Sequence, residues 1–446
     1  MPMDRRNFLI TTSLATLGAV AKTKLWAQTP ADVRLEIATL KLEIAPKKVI
    51  HTVGYNGSVP GPLIRWPEGK PITIDVMNRT DTAEIVHWHG LWIPSDEDGA
   101  MEEGSPMIVP GGQRRYSFLP QPGGFRWYHT HTFAGHDLKR GTYTGQFGCF
   151  YIEPKREPGA YDQEIFLTLH DWNAYMGGGG DASMDAFYDY ATINDRMLGL
   201  GDPIKVHEGQ RVLFHVLNAS ATATHWLGLA GHQFTVVGMD GNEVPQRSEV
   251  SAIRLAPAER IDVLVEMNSP GVWVMGETRA EIRKAGMGIV VEYANQQGEA
   301  KWINPPEMLW DYTLFAKQER VPEPDQRIPL LFESKFRGHG EFDYWMINGK
   351  SYPKTDTIPL KEGRRYRLAL RNKSNDDHPI HLHRHTFEVT NLEGKPLSGL
   401  RKDVVVVKAN SNAEIDFVAG NPGATLFHCH QQSHMDFGFM MLFRYV

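Results

Sequence analysis

The chain has 446 residues, of which 41% are hydrophobic and 22% charged, so it is long enough to bury several cores of ordinary globular type. Its 47 lysine and arginine residues are outnumbered by 53 aspartate and glutamate residues, and we therefore expect no nucleic-acid partner. Two cysteines, Cys149 and Cys429, exclude a disulfide framework, whereas 19 histidines gathered in a few short segments need an explanation.

Residues 1–27 are typical of an export signal. Arg5 and Arg6 precede an apolar run, from Phe8 to Ala21, that is too short to anchor the chain in a bilayer. The sequence Arg-Arg-Asn-Phe-Leu resembles the twin-arginine signal of bacteria. We therefore predict export by the twin-arginine machinery and a periplasmic mature protein without membrane contact. A short amphipathic helix at the N-terminus is the alternative.

The rest of the chain has the pattern of an all-β protein. Short runs of alternating polar and apolar residues are separated by Gly, Pro, Asn and Asp, as expected of strands and turns. A Glu-Gly turn, a strand and an asparagine follow one another three times, in 67–78, 206–218 and 360–372. This repeat predicts three tandem β-sandwiches.

The predicted domain limits follow from the repeat and from the proline-containing stretches between its copies. The segments are 1–27 for the signal, 28–155 for domain 1, 156–296 for domain 2, 297–328 for a linker and 329–446 for domain 3.

Ten of the 19 histidines lie in four short segments. Residues two apart on a strand project from the same face, so each His-x-His pair can reach one site. The segments are His87-Trp-His89, His129-Thr-His131, His378-Pro-Ile-His381-Leu-His383, and His428-Cys429-His430 followed by His434.

Cys429 lies between two histidines and points to the opposite face if this segment is extended. One strand then serves two metal sites, with a thiolate on one side and imidazoles on the other. In the third segment Pro379 marks a bend, and His378 is out of step with the two histidines that follow. His378 can therefore join Cys429 and His434 at the first site.

The donor set predicts copper. A cysteine with two histidines and a weak or absent axial ligand describes a blue-copper electron-transfer site. Eight further imidazoles without carboxylates suit copper better than magnesium, calcium or manganese. Zinc binds the same donors, but a structural zinc site of four ligands would leave most of the histidines unexplained.

These four segments, in this order, resemble the signatures of the multicopper oxidases. The resemblance implies three cupredoxin-like Greek-key β-sandwich domains. It also implies an enzyme that couples four one-electron oxidations of a small reducing substrate to the reduction of O2 to water. Four copper ions per chain are expected, one of type 1, one of type 2 and two of type 3.

The resemblance also assigns each ligand to a copper ion. Type 1 copper takes His378, Cys429 and His434; type 2 takes His87 and His381; one type 3 ion takes His89, His129 and His430, and the other takes His131, His383 and His428. Four of these ligands come from the first domain and seven from the last, so the trinuclear cluster is expected between those domains.

Two further residues take roles from the resemblance. Asp98 resembles the family acid that helps to deliver protons to O2, with a solvated acidic turn as the alternative. Phe439 stands at the axial position and cannot coordinate, so we expect a three-coordinate type 1 site of raised potential unless Met440 binds instead. Met435 replaces a glutamate that many bacterial members carry, and Asp436 is only a weak substitute.

The predicted activity is laccase-like oxidation of phenols or similar organic reductants. A periplasmic oxidase of Cu(I) or Fe(II) in metal resistance is the alternative, disfavoured because the 17 methionines are dispersed rather than concentrated in one insert. A non-enzymatic cupredoxin scaffold and a copper nitrite reductase are disfavoured by the complete set of eleven ligands.

Overall fold

The computed structural model describes residues 30–155, 159–177, 185–338 and 340–446. The predicted export signal at 1–27 lies outside these residues. The strands form six sheets that pair as three β-sandwiches along the chain, and the predicted all-β architecture is confirmed. No helix in the described ranges is both long and apolar enough to cross a bilayer.

The first sandwich combines the sheets β2-β1-β4-β6 and β3-β8-β7-β5 around a core that includes Ile74, Trp88 and Tyr116. Short 3-10 helices cover Met101–Glu103 and Gly141–Tyr143. The strands are β1 Val33–Ala45, β2 Lys48–Tyr55, β3 Gly61–Pro67, β4 Ile72–Asn78, β5 Val86–His89, β6 Gln113–Phe118, β7 Gly124–Thr130 and β8 Phe147–Glu153.

The second sandwich combines a six-stranded sheet, β10-β9-β12-β17-β14-β15, with a five-stranded sheet, β11-β19-β18-β13-β16. The helix α1 covers Ala280–Lys284. The strands are β9 Gln163–Gly177, β10 Asp185–Ile193, β11 Ile204–Val206, β12 Arg211–Asn218, β13 His225–Leu229, β14 Phe234–Met239, β15 Asn242–Val250, β16 Ala252–Leu255, β17 Arg260–Glu266, β18 Val272–Glu277 and β19 Gly288–Tyr293.

The third sandwich combines the sheet β21-β20-β23-β29-β25-β26, with β27 paired to β25, and the sheet β22-β31-β30-β24-β28. The helix α2 covers Gln432–Asp436, and a 3-10 helix covers Tyr312–Leu314. The strands are β20 Gln326–Lys335, β21 Tyr344–Ile347, β22 Ile358–Leu360, β23 Arg365–Asn372, β24 His378–Leu382, β25 Phe387–Leu392, β26 Lys395–Pro396, β27 Arg401–Lys402, β28 Val404–Val407, β29 Asn412–Val418, β30 Ala424–Cys429 and β31 Met440–Tyr445. We propose the predicted domain limits for all three units, although β20 of the third sandwich begins at Gln326, three residues before the predicted start of domain 3 at 329.

The threefold repeat has a common local structure. A glycine with φ between +72° and +82° turns the chain before β4, β12 and β23, a conformation that disfavours other residues. Each strand ends at an asparagine. The side-chain NH2 group of this asparagine donates to at least two backbone carbonyls, and its side-chain oxygen accepts from the backbone N–H two residues later. The glycines are Gly69, Gly209 and Gly363, and the asparagines are Asn78, Asn218 and Asn372.

Candidate metal centre

Cys429 and two histidines form a compact buried triangle. Cys429 ends β30, His378 begins β24 and His434 lies on α2. The Sγ atom of Cys429 is 3.7 Å from His378 Nδ1 and 3.5 Å from His434 Nδ1, and the two Nδ1 atoms are 3.2 Å apart. None of the three residues is more than 6% exposed. The triangle therefore offers one sulfur and two imidazole nitrogens to a single ion.

Neighbouring side chains hold this thiolate triangle in place. The hydroxyl of Ser374 lies 2.7 Å from His378 Nε2, which leaves Nδ1 facing the sulfur. The indole of Trp345 packs on the ring of His434 with the centroids 3.9 Å apart. Burial raises the pKa of the Cys429 thiol and lowers the pKa of His434 to about 3, so a cation is needed to favour the thiolate.

Phe439 and Met440 point to different places. The buried ring of Phe439 lies 4.7 Å from the ring of His378, centroid to centroid. Met440 begins β31 and packs instead with Leu426 and Met435 in a separate apolar cluster. An aromatic ring rather than a thioether therefore lies beside the thiolate triangle.

Eight histidines converge where the first and third sandwiches meet. Paired strands bring them together, because His87 lies opposite His129 across β5 and β7, and His381 lies opposite His428 across β24 and β30. None is more than 5% exposed. The members of this eight-histidine cluster are His87, His89, His129, His131, His381, His383, His428 and His430.

Ring nitrogens of the eight-histidine cluster fall into three groups, within each of which the atoms lie no more than 4.8 Å apart. The groups are His87, His89 and His381; His89, His129 and His430; and His131, His383 and His428. Together with the thiolate triangle, the structure gathers all eleven residues that the sequence nominated as ligands into two neighbouring clusters.

The cluster has the properties of a metal-binding centre. Four buried Nε2 atoms have no hydrogen-bond partner among the described residues, those of His87, His131, His381 and His430. Burial lowers the pKa of His131 and of His381 to about 3, so both imidazoles are neutral and keep a lone pair for an ion. Unpaired buried nitrogens are costly, and copper ions, which favour imidazole, would satisfy them.

Successive side chains of β30 diverge. Cys429 faces the core of the third sandwich and the thiolate triangle, whereas Nε2 of His428 lies 3.0 Å from Nε2 of His383 in the eight-histidine cluster. One peptide unit therefore links the two clusters covalently, as the alternation of a strand predicts.

Asp98 lies at the edge of the eight-histidine cluster. Its Oδ2 atom is 2.8 Å from His383 Nδ1 and 3.2 Å from His87 Nδ1. The residue is fully buried, and Oδ1 has no partner in the part of the chain that the structure describes. The carboxyl group is therefore buried beside the cluster and is not part of a solvated turn.

Glu103 is a second buried acid that the sequence did not reveal. Its Oε1 atom lies 3.5 Å from His383 Nδ1, and burial together with the charge of Asp98 raises the pKa of Glu103 well above its usual range. No motif or spacing marks this residue, so only the fold could identify it. Asp436, the weak substitute named above, instead accepts hydrogen bonds from two backbone amides in the loop after His131.

The second sandwich contains a counterpart of the thiolate triangle. The side chain of Asn218 donates to the carbonyl of Leu255, which pairs with His225, and the side chain of Asn372 donates to the carbonyl of Val407, which pairs with His378. His225 therefore occupies in the second sandwich the place of His378 in the third.

Glu277 occupies the corresponding place of Cys429, because each lies opposite the residue two positions after the aligned histidine. Nδ1 of His225 is 3.1 Å from Glu277 Oε2, and its Nε2 is 2.8 Å from Asp171 Oδ2. With both nitrogens engaged by carboxylates, this histidine has no lone pair to offer a metal ion. The second sandwich has an ion pair where the third has its thiolate.

Stability is expected to fall between about pH 6.5 and pH 9. Burial alone would lower the pKa of His225, but the charge of Asp171 raises it to about 9. Burial would likewise lower the pKa of His215, and the charge of Asp262 raises it to about 9. The pKa of a histidine in the unfolded chain is about 6.5. Each of the two histidines therefore adds about 3 kcal/mol to the free energy of unfolding below this pH, and this contribution is lost as the pH rises to about 9. Urea unfolding of the copper-free protein at a series of pH values measures this loss. A free energy of unfolding that stays constant between pH 6.5 and pH 9 would contradict the raised pKa values.

Known proteins match this chain over all three sandwiches. Family models described as multicopper oxidase match residues 36–157, 164–297 and 324–446. The multicopper oxidase MmcO of Mycobacterium tuberculosis is 31% identical over 441 residues, covering 89% of this chain and 84% of that protein. A solved multi-copper oxidase from Pseudomonas thermotolerans is 26% identical with a TM-score of 0.74, covering 94% of this chain and all of that one (100%). Fet3p, a multicopper oxidase that functions in iron import, shares the fold at a TM-score of 0.79 and 20% identity, covering 93% of this chain and 90% of its own.

Proposed function

The chain belongs to the multicopper oxidase family, and we propose that it is a laccase-like oxidase. Members of this family are copper-binding oxidoreductases with cupredoxin-like domains that use O2 and a reducing substrate. It takes single electrons from a phenolic or similar organic donor. Four such electrons and four protons reduce one O2 to two waters. The observation that carries this proposal is the divergence of Cys429 and His428 on β30, which links a one-electron acceptor to the eight-histidine cluster.

The ligand sets expected from the sequence are our proposal for the four copper ions. His378, Cys429 and His434 hold type 1 copper, and the eight-histidine cluster holds one type 2 and two type 3 ions, divided as above. Bound copper supplies the one-electron redox chemistry and the site at which O2 reacts. The protein supplies the rigid geometry, the exclusion of water and the protons.

A cavity beside α2 supports entry of an organic donor. It has a volume of about 480 Å³ and is lined by Ser433, which adjoins His434, and by Phe187, Tyr188 and Tyr190 of β10. Aromatic walls bind planar aromatic molecules through their faces and edges. His434, the neighbour of Ser433, would hold type 1 copper, and its imidazole would be the entry point for an electron from such a donor.

Protons reach the site of O2 reduction through buried acids. Asp98 contacts both His87 and His383 and is placed to hold a proton beside the cluster and release it during the reaction.

Export by the twin-arginine machinery and a periplasmic location complete the proposal. They rest on the sequence of residues 1–27 alone.

The decisive experiment measures copper content and oxygen uptake together. We expect about four copper ions per chain, and oxygen uptake with a phenol that is faster than with Cu(I) or Fe(II) in parallel assays. A content of two copper ions per chain would indicate a copper nitrite reductase, and a protein without copper would indicate a non-enzymatic cupredoxin scaffold. Faster turnover with either metal ion would establish the metallo-oxidase alternative.

Replacing Phe439 with methionine is expected to lower the reduction potential of type 1 copper. A thioether beside the thiolate triangle would add a donor to the ion held there, and a further donor stabilises the oxidised form of copper. A redox titration of the blue absorption measures the change, and Met440→Leu serves as the control because Met440 packs away from the triangle. An equal shift in the control, or no shift in Phe439→Met, would argue against the axial position.

A further inference from the structure

The second sandwich provides none of the eleven proposed ligands, yet one of its side chains reaches the eight-histidine cluster through a single carboxylate. Arg260, at the start of β17, donates from Nη1 to Oδ1 of Asp403 and from Nη2 to Oδ2, both at 2.6 Å. Asp403 lies in the third sandwich between β27 and β28. Both residues are fully buried, so this bidentate ion pair acts without screening by water.

Asp403 in turn contacts two histidines of the cluster. Its Oδ1 atom is 3.1 Å from Nε2 of His89, and its backbone carbonyl is 2.7 Å from Nδ1 of His381. Because the carboxylate engages Nε2, His89 directs Nδ1 into the cluster, where it lies 3.4 Å from Nε2 of His129. The two contacts give His89 and His381 opposite ring orientations.

Arg126 of the first sandwich completes the network. Its Nη1 atom is 3.2 Å from Oδ2 of Asp403, and its Nη2 donates to the carbonyls of Gly123 in the first sandwich and Gly241 in the second. All three sandwiches therefore meet at one carboxylate. Two buried guanidinium groups hold that carboxylate in its charged form and in one place.

We propose that Asp403 is a positioning residue, which fixes the Nδ1-directed orientation of His89 and transmits the docking of the second sandwich to the type 2 and type 3 copper sites. A carboxylate that accepts from one imidazole nitrogen sets the tautomer and leaves the other nitrogen as the ligand. Without it, the ring of His89 is free to present either nitrogen. The inference rests on the proposed function, since it concerns ligands of the trinuclear cluster.

The test compares Asp403→Asn with a matched control, Asp416→Asn. Asp416 is a buried acid of the same sandwich that accepts hydrogen bonds from Arg365 and Arg367, and none of its hydrogen bonds in the described structure goes to the cluster. Copper affinity is measured by titration with a chelator, the type 2 site by electron paramagnetic resonance, and the type 1 site by its blue absorption and potential.

We expect Asp403→Asn to weaken the binding of cluster copper by about 10- to 100-fold and to change the type 2 resonance, while the blue absorption and potential of type 1 copper stay unchanged. Asp416→Asn is expected to lower thermal stability without either change at the cluster. Arg260→Lys, which keeps the charge but loses the bidentate geometry, should produce a smaller effect of the same kind, and it decides the question if Asp403→Asn does not fold.

Unchanged copper affinity and an unchanged type 2 resonance in these variants would overturn the proposal, as would equal losses in Asp416→Asn. Failure of the wild-type protein to bind copper at the cluster would instead overturn the proposed function. The two failures are therefore distinguishable in one set of measurements.

Discussion

Cys429→Ser is expected to reduce donor-driven oxygen uptake to the level of the copper-free protein. A hydroxyl does not replace a thiolate as a ligand for copper, so the type 1 ion is lost together with the blue absorption. The eight-histidine cluster lies on the other face of β30 and contains no ligand from this side chain. Copper content should therefore fall from about four ions to about three, not to zero.

Cys149→Ser provides the control for this variant. Cys149 is equally buried, on β8, with its sulfur 3.5 Å from the hydroxyl of Thr168, and burial raises the pKa of its thiol to about 11. The chemical change is the same, but no histidine of either cluster is near it among the described contacts. Blue absorption that persists in Cys429→Ser, or that disappears in Cys149→Ser, would show that the thiolate has been assigned to the wrong cysteine.

Asp98→Asn is expected to slow the reaction with O2 by about 10²- to 10⁴-fold, the usual contribution of a positioned proton donor. The amide keeps the size of the side chain and its contact with His383 but has no proton to exchange. Reduction of type 1 copper by the donor under anaerobic conditions should keep its rate, because Asp98 is not part of the thiolate triangle.

Stopped-flow measurements separate the two half-reactions of Asp98→Asn. Glu84→Gln is a suitable comparison, since Glu84 is a buried acid of the same sandwich that bonds Gln146 and Thr82 rather than the cluster. A variant in which donor oxidation slows and reoxidation by O2 does not would assign Asp98 to the wrong half of the reaction.

The convergence of these side chains in two clusters could be predicted because strand geometry is simple. A residue and its second neighbour share a face, so His-x-His pairs and the out-of-step Cys429 already specify two sites before any fold is known. The all-β architecture followed from the same alternation together with the repeated turns. The helix α2, which carries His434, was not predicted, because five residues are too few to display a helical period.

Apart from Asp98, the acids and arginines around the clusters could not be predicted. Glu103, Asp403, Arg126 and Arg260 lie on different sandwiches or in connecting segments, and single charged residues have no period that the sequence could display. Their meeting depends on how complete domains dock, which local patterns do not encode. The sequence has no ligand motif around His225, and in the structure both of its ring nitrogens lie within hydrogen-bond distance of carboxylates.

The position of the eight-histidine cluster between the first and third sandwiches has a consequence for assembly. Half of its members precede residue 132 and half follow residue 380, so the binding pocket exists only after distant stretches of chain have come together. The complete set of nitrogens is therefore available to metal only when the two sandwiches are docked, and by mass action bound metal would stabilise the docked state. We expect the copper-free protein to undock more readily between its first and third sandwiches than the copper-loaded protein.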